Sequence, residues 1–286
     1  MAERIIGIIG GSGLYEMEGL EDVKEVRLET PFGSPSDAYI TGRFGDAQLV
    51  FLPRHGRGHR IPPTDINYRA NIYGMKKLGV EWIISVSAVG SMKEEIKPGD
   101  VVIVDQFFDR TTKRASTFFS SGIVGHVEFA EPVCGGLAAV LHDAARKAGA
   151  TVHRGGTYIC IEGPQFSTKA ESLIYRSWGV DVIGMTNIPE AKLAREAEMC
   201  YSTVALSTDY DCWHETEESV SVDMILATLK KNVSLAKEII KNAIPTITHP
   251  RDCKCARALE YAIVTAKEAI PEELKNDLAP IIGKYI

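Results

Sequence analysis

Hydrophobic residues follow two alternating patterns along this chain. Short β-branched runs bounded by glycine, proline or charge predict strands at 4–9, 24–28, 38–43, 48–53, 81–88, 100–107, 151–161, 181–185 and 200–208. Between them, apolar positions at three- and four-residue spacing predict helices near 65–79, 135–149, 168–178, 188–198, 221–243, 255–268 and 271–281. Trp82-Ile83-Ile84-Ser85-Val86-Ser87 and Cys200-Tyr201-Ser202-Thr203-Val204-Ala205-Leu206 are apolar or small on both faces, as in central strands covered by helices. In the longest helix Val222, Ile225, Leu226, Leu229, Val233, Ala236 and Ile240 form one stripe, with Ser219 or Ser221 placed to cap its start. Val222 and Ile225 fall at its pocket end. This alternation, with no repeat or linker, predicts an α/β fold built on a central mixed sheet flanked by helices.

Open α/β sheets bind ligands beyond their strand ends, so the residues there carry the functional information. The first strand runs into Gly10-Gly11-Ser12-Gly13-Leu14, whose free N–H groups and hydroxyl suit an anion. It lacks the third glycine of a dinucleotide fingerprint and a following Walker lysine, so alone it also fits a plain tight turn. Arg54-His55-Gly56-Arg57 follows strand 48–53, and guanidinium with imidazole suits phosphate. Ser87-Ala88-Val89-Gly90-Ser91 and Gly184-Met185-Thr186-Asn187 add hydroxyls. After strand 200–208, Asp209 and Asp211 stand at i and i+2, on one side of an extended end or as a turn cap. Carboxyl groups can accept from an exocyclic amine and, protonated, donate to a ring nitrogen. The combination reads as phosphate plus purine. A dinucleotide-dependent oxidoreductase would leave the aspartates idle.

Composition narrows the partners. The 286 residues are 45% hydrophobic, enough for a large core, and the net charge of -6 with no basic tract argues against nucleic acid or an anionic membrane. Nothing approaches ~18 consecutive apolar residues, and the opening stretch is too short for a secretion signal, so a cytoplasmic protein with a small-molecule ligand is expected. The six cysteines, at 134, 160, 200, 212, 253 and 255, show no paired C-x-x-C spacing and no disulfide framework. No metal is expected. Cys253-Lys254-Cys255 fits either a strained reducible bridge or two thiols at a helix start.

Six blocks then carry a resemblance. Gly10-Gly11-Ser12-Gly13, Thr30-Pro31-Phe32-Gly33, Arg54-His55-Gly56-Arg57, Asn67-Tyr68-Arg69-Ala70-Asn71, Glu162-Gly163-Pro164-Gln165-Phe166 and Thr208-Asp209-Tyr210-Asp211-Cys212-Trp213 resemble, in order, the 5′-methylthioadenosine phosphorylases. These are a branch of the trimeric purine nucleoside phosphorylases. The resemblance implies a single domain with a twisted mixed sheet, residues 1–245 forming the phosphorylase unit and 246–286 a C-terminal helical extension packed on it. It implies a pentosyltransferase that reversibly converts 5′-methylthioadenosine and orthophosphate to adenine and 5-methylthioribose 1-phosphate, in methionine and purine salvage. The alternative on this scaffold is a methylthioinosine or 6-oxopurine nucleoside phosphorylase. Orthophosphate is a co-substrate, and no cofactor is implied.

By position, the resemblance gives orthophosphate to Ser12, Arg54, His55, Ser87 and Thr186, with the Ala88 backbone between ribose and phosphate. Met185 would lie against the ribose and Phe166 would stack on the purine. Asp209 would be the catalytic acid at N7, with Asp211 on the 6-amino group. Val222 and Ile225 would line the 5′-methylthio pocket, and His126 would reach in from a neighbouring subunit of a homotrimer or dimer of trimers. The loop 113–130 is shorter than in many relatives and carries Glu128.

Overall fold

The computed structural model describes residues 3–11, 13–120, 122–214 and 222–286, the side chains of 222–231 excepted. In chain order the elements are β1 (Arg4–Gly10), β2 (Glu21–Val26), β3 (Tyr39–Phe44), β4 (Ala47–Pro53), α1 (Tyr68–Lys77), β5 (Trp82–Ser91), β6 (Val101–Ile103) and β7 (Gln106–Arg110). There follow α2 (Gly135–Lys147), β8 (Val152–Arg154), β9 (Thr157–Ile161), α3 (Lys169–Ser177), β10 (Val182–Gly184), α4 (Asn187–Glu196), β11 (Cys200–Asp209), α5 (Val222–Ala243), α6 (Glu272–Asp277) and α7 (Ala279–Ile282). The strands form one mixed sheet in the order β2-β3-β4-β1-β5-β10-β9-β7, with β11 also on β5, β6 on β11, and β8 on β6.

The long central strand β5 organises this sheet. Along one edge β11 runs parallel to it, from Cys200 opposite Trp82 to Asp209 opposite Gly90. On the other edge β1 pairs in parallel only as far as Ile9 opposite Ser85. There β10 takes over, antiparallel, with Ile183 opposite Gly90 and Val182 opposite Ser91. Residues 86–89 lie between the two partners, and such a switch of neighbours is where α/β sheets open a ligand crevice.

Strand side chains alternate faces, so each face carries its own core. Ile9, Leu52 and Ile83 pack with Ile72 and Met75 of α1, Ala191 of α4 and Ile281 of α7. Ile6, Ile8, Leu49 and Ile84 pack with Leu137 and Leu141 of α2 and Ile239 and Ile240 of α5. Each such full burial contributes about 1.5–3 kcal/mol before chain entropy is counted. Among the described residues no helix is long and apolar enough to cross a membrane.

The structure departs from the hydrophobic pattern in three places. The runs 100–107 and 151–161 each divide, giving β6 with β8 and β7 with β9 as parallel pairs. Gly155 and Gly156, at φ +83° and +127°, make the break, and Asp105 N–H donates to the Gly156 carbonyl at 3.2 Å. The expected helix 255–268 does not form. Its residues are held by tertiary bonds instead: the Leu259 N–H donates to Glu198 Oε1 at 3.0 Å, and the Ala262 carbonyl accepts from His126 N–H at 2.8 Å. The helix expected at 271–281 divides into α6 and α7, with Pro280, which has no N–H to give, in the first turn of α7. Those C-terminal turns pack on α1, where the Tyr73 hydroxyl donates to the Asp277 carbonyl at 2.7 Å. The cap expected at Ser219 or Ser221 lies outside the described residues.

Candidate active site

Ala88 locates the opening. It is the exposed position in the central strand β5, whose six preceding residues are all buried. Around it converge the ends of β1, β4, β10 and β11.

At the β4 end Arg54 is almost wholly buried, and its Nε and Nη2 donate to the two Glu190 carboxylate oxygens at 2.8 and 3.0 Å. Nη2 also reaches Ser85 Oγ at 2.7 Å, and Nη1 donates to the Val86 carbonyl at 3.1 Å. Burial disfavours the guanidinium charge, but the Glu190 carboxylate outweighs it, and Arg54 titrates above its ordinary range. Glu190 in turn accepts from Ser85 and from the Tyr201 hydroxyl, at 2.8 and 2.9 Å. Glu190 thus neutralises the cation beneath the crevice, a partner the sequence pattern did not reveal because it sits inside α4, 136 residues away. Removing one member of such a pair leaves a buried charge uncompensated. Glu190→Ala should cost about 3–5 kcal/mol of stability by urea denaturation; an unchanged midpoint and slope would contradict this.

His55 follows directly. Its Nδ1 lies 2.8 Å from the Ile61 carbonyl, which places the ring proton on Nδ1 and leaves Nε2 as an acceptor. Burial, with the Arg54 charge adding to it, pushes the imidazole down to about 4, so it is neutral at pH 7. The ring stacks on His59 at 4.2 Å between centroids.

Hydroxyl groups complete this end. Ser87 Oγ lies 3.4 Å from Thr186 Oγ1 and 3.2 Å from the Tyr158 hydroxyl. Thr186 stands at the N-cap of α4 without spending its side chain on the cap. Gly184 is required beside it, because a Cβ there would clash with the Tyr158 hydroxyl.

Across β5 stand the aspartates. Asp209 Oδ1 accepts from the Asp211 N–H at 2.8 Å, and the Thr208 hydroxyl lies 2.6 Å from Oδ2. Asp211 is left-handed at φ +53°, so a turn, not an extended strand, brings the two carboxylates together. The turn-cap reading therefore holds and the extended-end reading does not: Asp209 caps the turn that Asp211 enters. Gly90 permits the approach, since a Cβ there would sit 3.0 Å from Asp209 Oδ1 and 3.3 Å from the Asp211 Cβ. The Trp213 indole anchors the turn, donating to the Ser91 carbonyl at 2.7 Å. Asp211 Oδ2 accepts from the Ser172 hydroxyl of α3, and burial raises its pKa against that bond.

Of the other predicted residues, Met185 is half-buried over the Gly163 turn, where a Cβ would meet its sulfur at 2.5 Å. Phe166 is 58% exposed. His126 is also exposed, on a strap that bridges Gly125 to Ile263, and is not among the groups gathered at β5. Ser12 and the side chains of Val222 and Ile225 lie outside the described residues.

Arg114 is a further group that the sequence reading passed over. Its Nη1 donates to the Met185 and Ile188 carbonyls at 2.6 and 2.7 Å and its Nε to Glu162 Oε1 at 2.9 Å, tying the β10 end to the β9 end. Burial works against the Glu162 charge, but the N–H groups of Thr112 and Lys113 and the Arg114 guanidinium hold its pKa at about 2, below the ordinary 4.5. A depressed carboxylate contributes stability in full above pH 4.5 and loses it as pH falls toward 2. Glu162→Gln should therefore flatten the loss of stability over that acid range, measured by urea denaturation; an unaltered slope would contradict this assignment.

Residues 5–245 match the model of the phosphorylase superfamily. An S-methyl-5′-thioadenosine phosphorylase of Geobacter sulfurreducens is 66% identical over 99% of this chain and 100% of its own length. The chain belongs to the S-methyl-5′-thioadenosine phosphorylase family. Another member, from Koribacter versatilis, is 60% identical over 98% of this chain and 96% of its own. Among solved members, a methylthioadenosine phosphorylase from an antarctic soil metagenomic library superposes with a TM-score of 0.93 at 48% identity, covering 98% of this chain and 99% of that one. The Schistosoma mansoni methylthioadenosine phosphorylase in complex with adenine gives 0.85 at 39% identity, covering 90% and 96%. The family match spans both ends of the crevice, from the β1 turn to the Asp209–Asp211 turn.

Proposed function

We propose that this chain catalyses the reversible phosphorolysis of 5′-methylthioadenosine to adenine and 5-methylthioribose 1-phosphate. The observation that carries this is the opposition, across exposed Ala88, of a hydroxyl cluster at Ser87 and Thr186 and a carboxylate pair at Asp209 and Asp211. One end suits orthophosphate and the other a purine edge. Because Glu190 already balances Arg54, anion binding falls on O–H and N–H donors: Ser12, Ser87, Thr186 and the remaining Nη1 hydrogen of Arg54. Neutral His55 accepts a hydrogen bond from the phosphate O–H at Nε2.

The chemistry then balances within the substrates. One phosphate oxygen forms a bond to C1′ as the bond from C1′ to N9 breaks, with inversion to the α-1-phosphate. Positive charge builds on the ribose, facing the anion, and negative charge on the purine, facing Asp209, which shares a proton with N7. The hydrogen of HPO₄²⁻ is the one adenine finally carries. Asp211 accepts from the 6-amino group, Phe166 covers the base, and Met185 lies against the ribose. Val222 and Ile225, given this role by the family resemblance, would supply an apolar slot for the methylthio group, where a 5′-hydroxyl would lose its partners. No step calls for a cofactor.

Exposed His126, Phe166 and the apolar Leu173, Ile174 and Trp178 support association into a trimer, or a dimer of trimers, in which His126 enters a neighbour's site. The acidic balance and six free cysteines support a cytoplasmic setting. Product stereochemistry tests the attack: ³¹P and ¹H NMR of the ribosyl product should show only the α-anomer, whereas a β-anomer would exclude direct attack by bound phosphate.

A further inference from the structure

Cys134, Cys200, Cys253 and Cys255 come from three distant stretches of chain, yet their Sγ atoms all lie within 4.8 Å of one another. Cys134 is the N-cap of α2, and its N–H donates to the Tyr201 carbonyl at 2.9 Å. Cys200 opens β11, while Cys253 and Cys255 flank Lys254 at a short 3₁₀ turn, Lys254–Arg257. Cys134, Cys200 and Cys255 are buried and Cys253 is half-buried. All four are free thiols, and the 3.3 Å between Cys200 and Cys253 is well beyond the ~2.05 Å of a disulfide.

The spacing matches something else. Tetrahedral zinc thiolates have Zn–S near 2.3 Å, which sets neighbouring sulfurs about 3.8 Å apart. The sulfur separations here, 3.3 Å between Cys200 and Cys253 and none above 4.8 Å, bracket that value. The apolar surroundings argue the same way: the cysteines sit within the core packed by Ile6, Leu137, Ile240 and Ile247. Aliphatic side chains would fill such a space without bringing polarizable donors together. The cluster leaves no local signature in the sequence, from which no metal was expected: 65, 52 and 1 residues separate its members, and there is no C-x-x-C pair.

We propose that these four cysteines bind one zinc ion in a closed tetrathiolate site. It fastens the C-terminal segment after α5 to the starts of β11 and α2. With all four positions taken by the protein, no place remains for water or substrate, so the role is structural. Its position agrees with that role: Cys200 and Asp209 stand at opposite ends of ten-residue β11, about 30 Å apart at the usual strand rise. Binding exchanges the thiol protons for the metal and involves no change of oxidation state. The C-terminal run 255–268 gains an anchor at Cys255, the residue from which the expected helix fails to start.

The test uses the full chain, expressed with zinc supplied and purified under reducing conditions without chelator. Elemental analysis should give one zinc per chain, and growth with cobalt should give the thiolate-to-metal charge-transfer and intense d–d bands of a tetrahedral thiolate site. The double variant Cys253→Ser/Cys255→Ser should lose the metal and melt at a lower temperature. Any folded enzyme it yields should keep its kcat/KM. Substoichiometric zinc, iron in its place, cobalt spectra without thiolate bands, or disulfides among these four cysteines in the alkylated, unreduced chain would each overturn the proposal. The wild-type metal content decides the matter even if the variant fails to fold.

Discussion

Asp209→Ala is expected to lower kcat for adenine release from 5′-methylthioadenosine by about 10²–10⁴-fold, the span a positioned acid or base supplies. In the proposed reaction the departing purine takes the bonding pair of C1′–N9, and Asp209, proposed at N7, would meet that charge as it develops. The same carboxylate caps the turn through its bond to the Asp211 N–H, so part of the loss in Ala could come from a displaced turn. Asp209→Asn separates the two: its amide oxygen keeps the turn bond but the side chain cannot share a proton. Asn should lose nearly as much kcat as Ala, while the phosphate KM stays within a few-fold of the parent for both. An asparagine variant with near-parental kcat would remove Asp209 from the chemistry and leave it a structural cap.

Asp211→Asn should change which purine is preferred. In the proposed role an ionised Asp211 would accept from a 6-amino group and repel a 6-carbonyl; asparagine can present its N–H₂ to the carbonyl instead. A mispaired buried polar contact of this kind is worth about 1–3 kcal/mol, so the methylthioinosine to methylthioadenosine ratio of kcat/KM should rise by roughly 10–100-fold. Burial already raises the Asp211 pKa, and its protonated form offers the same donor as asparagine. The parent enzyme should therefore drift toward 6-oxopurines as pH falls, and the asparagine variant should not. Equal ratios in parent and variant at all pH values would contradict this role for Asp211. The Ser172 hydroxyl donates to Asp211 Oδ2, and Ser172→Ala is expected to weaken the preference without abolishing turnover.

Strand patterning made most of this fold legible. Continuous apolar runs such as 200–208 became the central β11, and glycine-bounded runs became its neighbours, because burial on two faces leaves a simple signature. Local signals failed where distant contacts decide the backbone. Residues 255–268 have helical spacing, but Glu198 and the strap at 124–126 hold them otherwise. The divided strands were legible only in hindsight, through the Gly155-Gly156 pair, whose double positive φ redirects the chain.

The site was legible wherever a residue type was unusual for its place. Arg54 beyond a buried strand, and two aspartates beyond another, stand out against apolar surroundings. Glu190 did not, because a glutamate within a helix is ordinary until its burial is seen. Nor did the geometry of the aspartate pair: its separation by two residues suggested one face of a strand, whereas the left-handed Asp211 and the bulge opposite Gly90 produce the closeness. Sequence named the groups, and long-range packing determined which of them touch.

The most direct measurement is adenine release from 5′-methylthioadenosine with and without orthophosphate, run beside adenosine, methylthioinosine and inosine. Release that requires orthophosphate, yields one 5-methylthioribose 1-phosphate per adenine, and is fastest for 5′-methylthioadenosine is the predicted result. Release at the same rate without orthophosphate, or none from 5′-methylthioadenosine while a 6-oxopurine nucleoside turns over, would contradict the account.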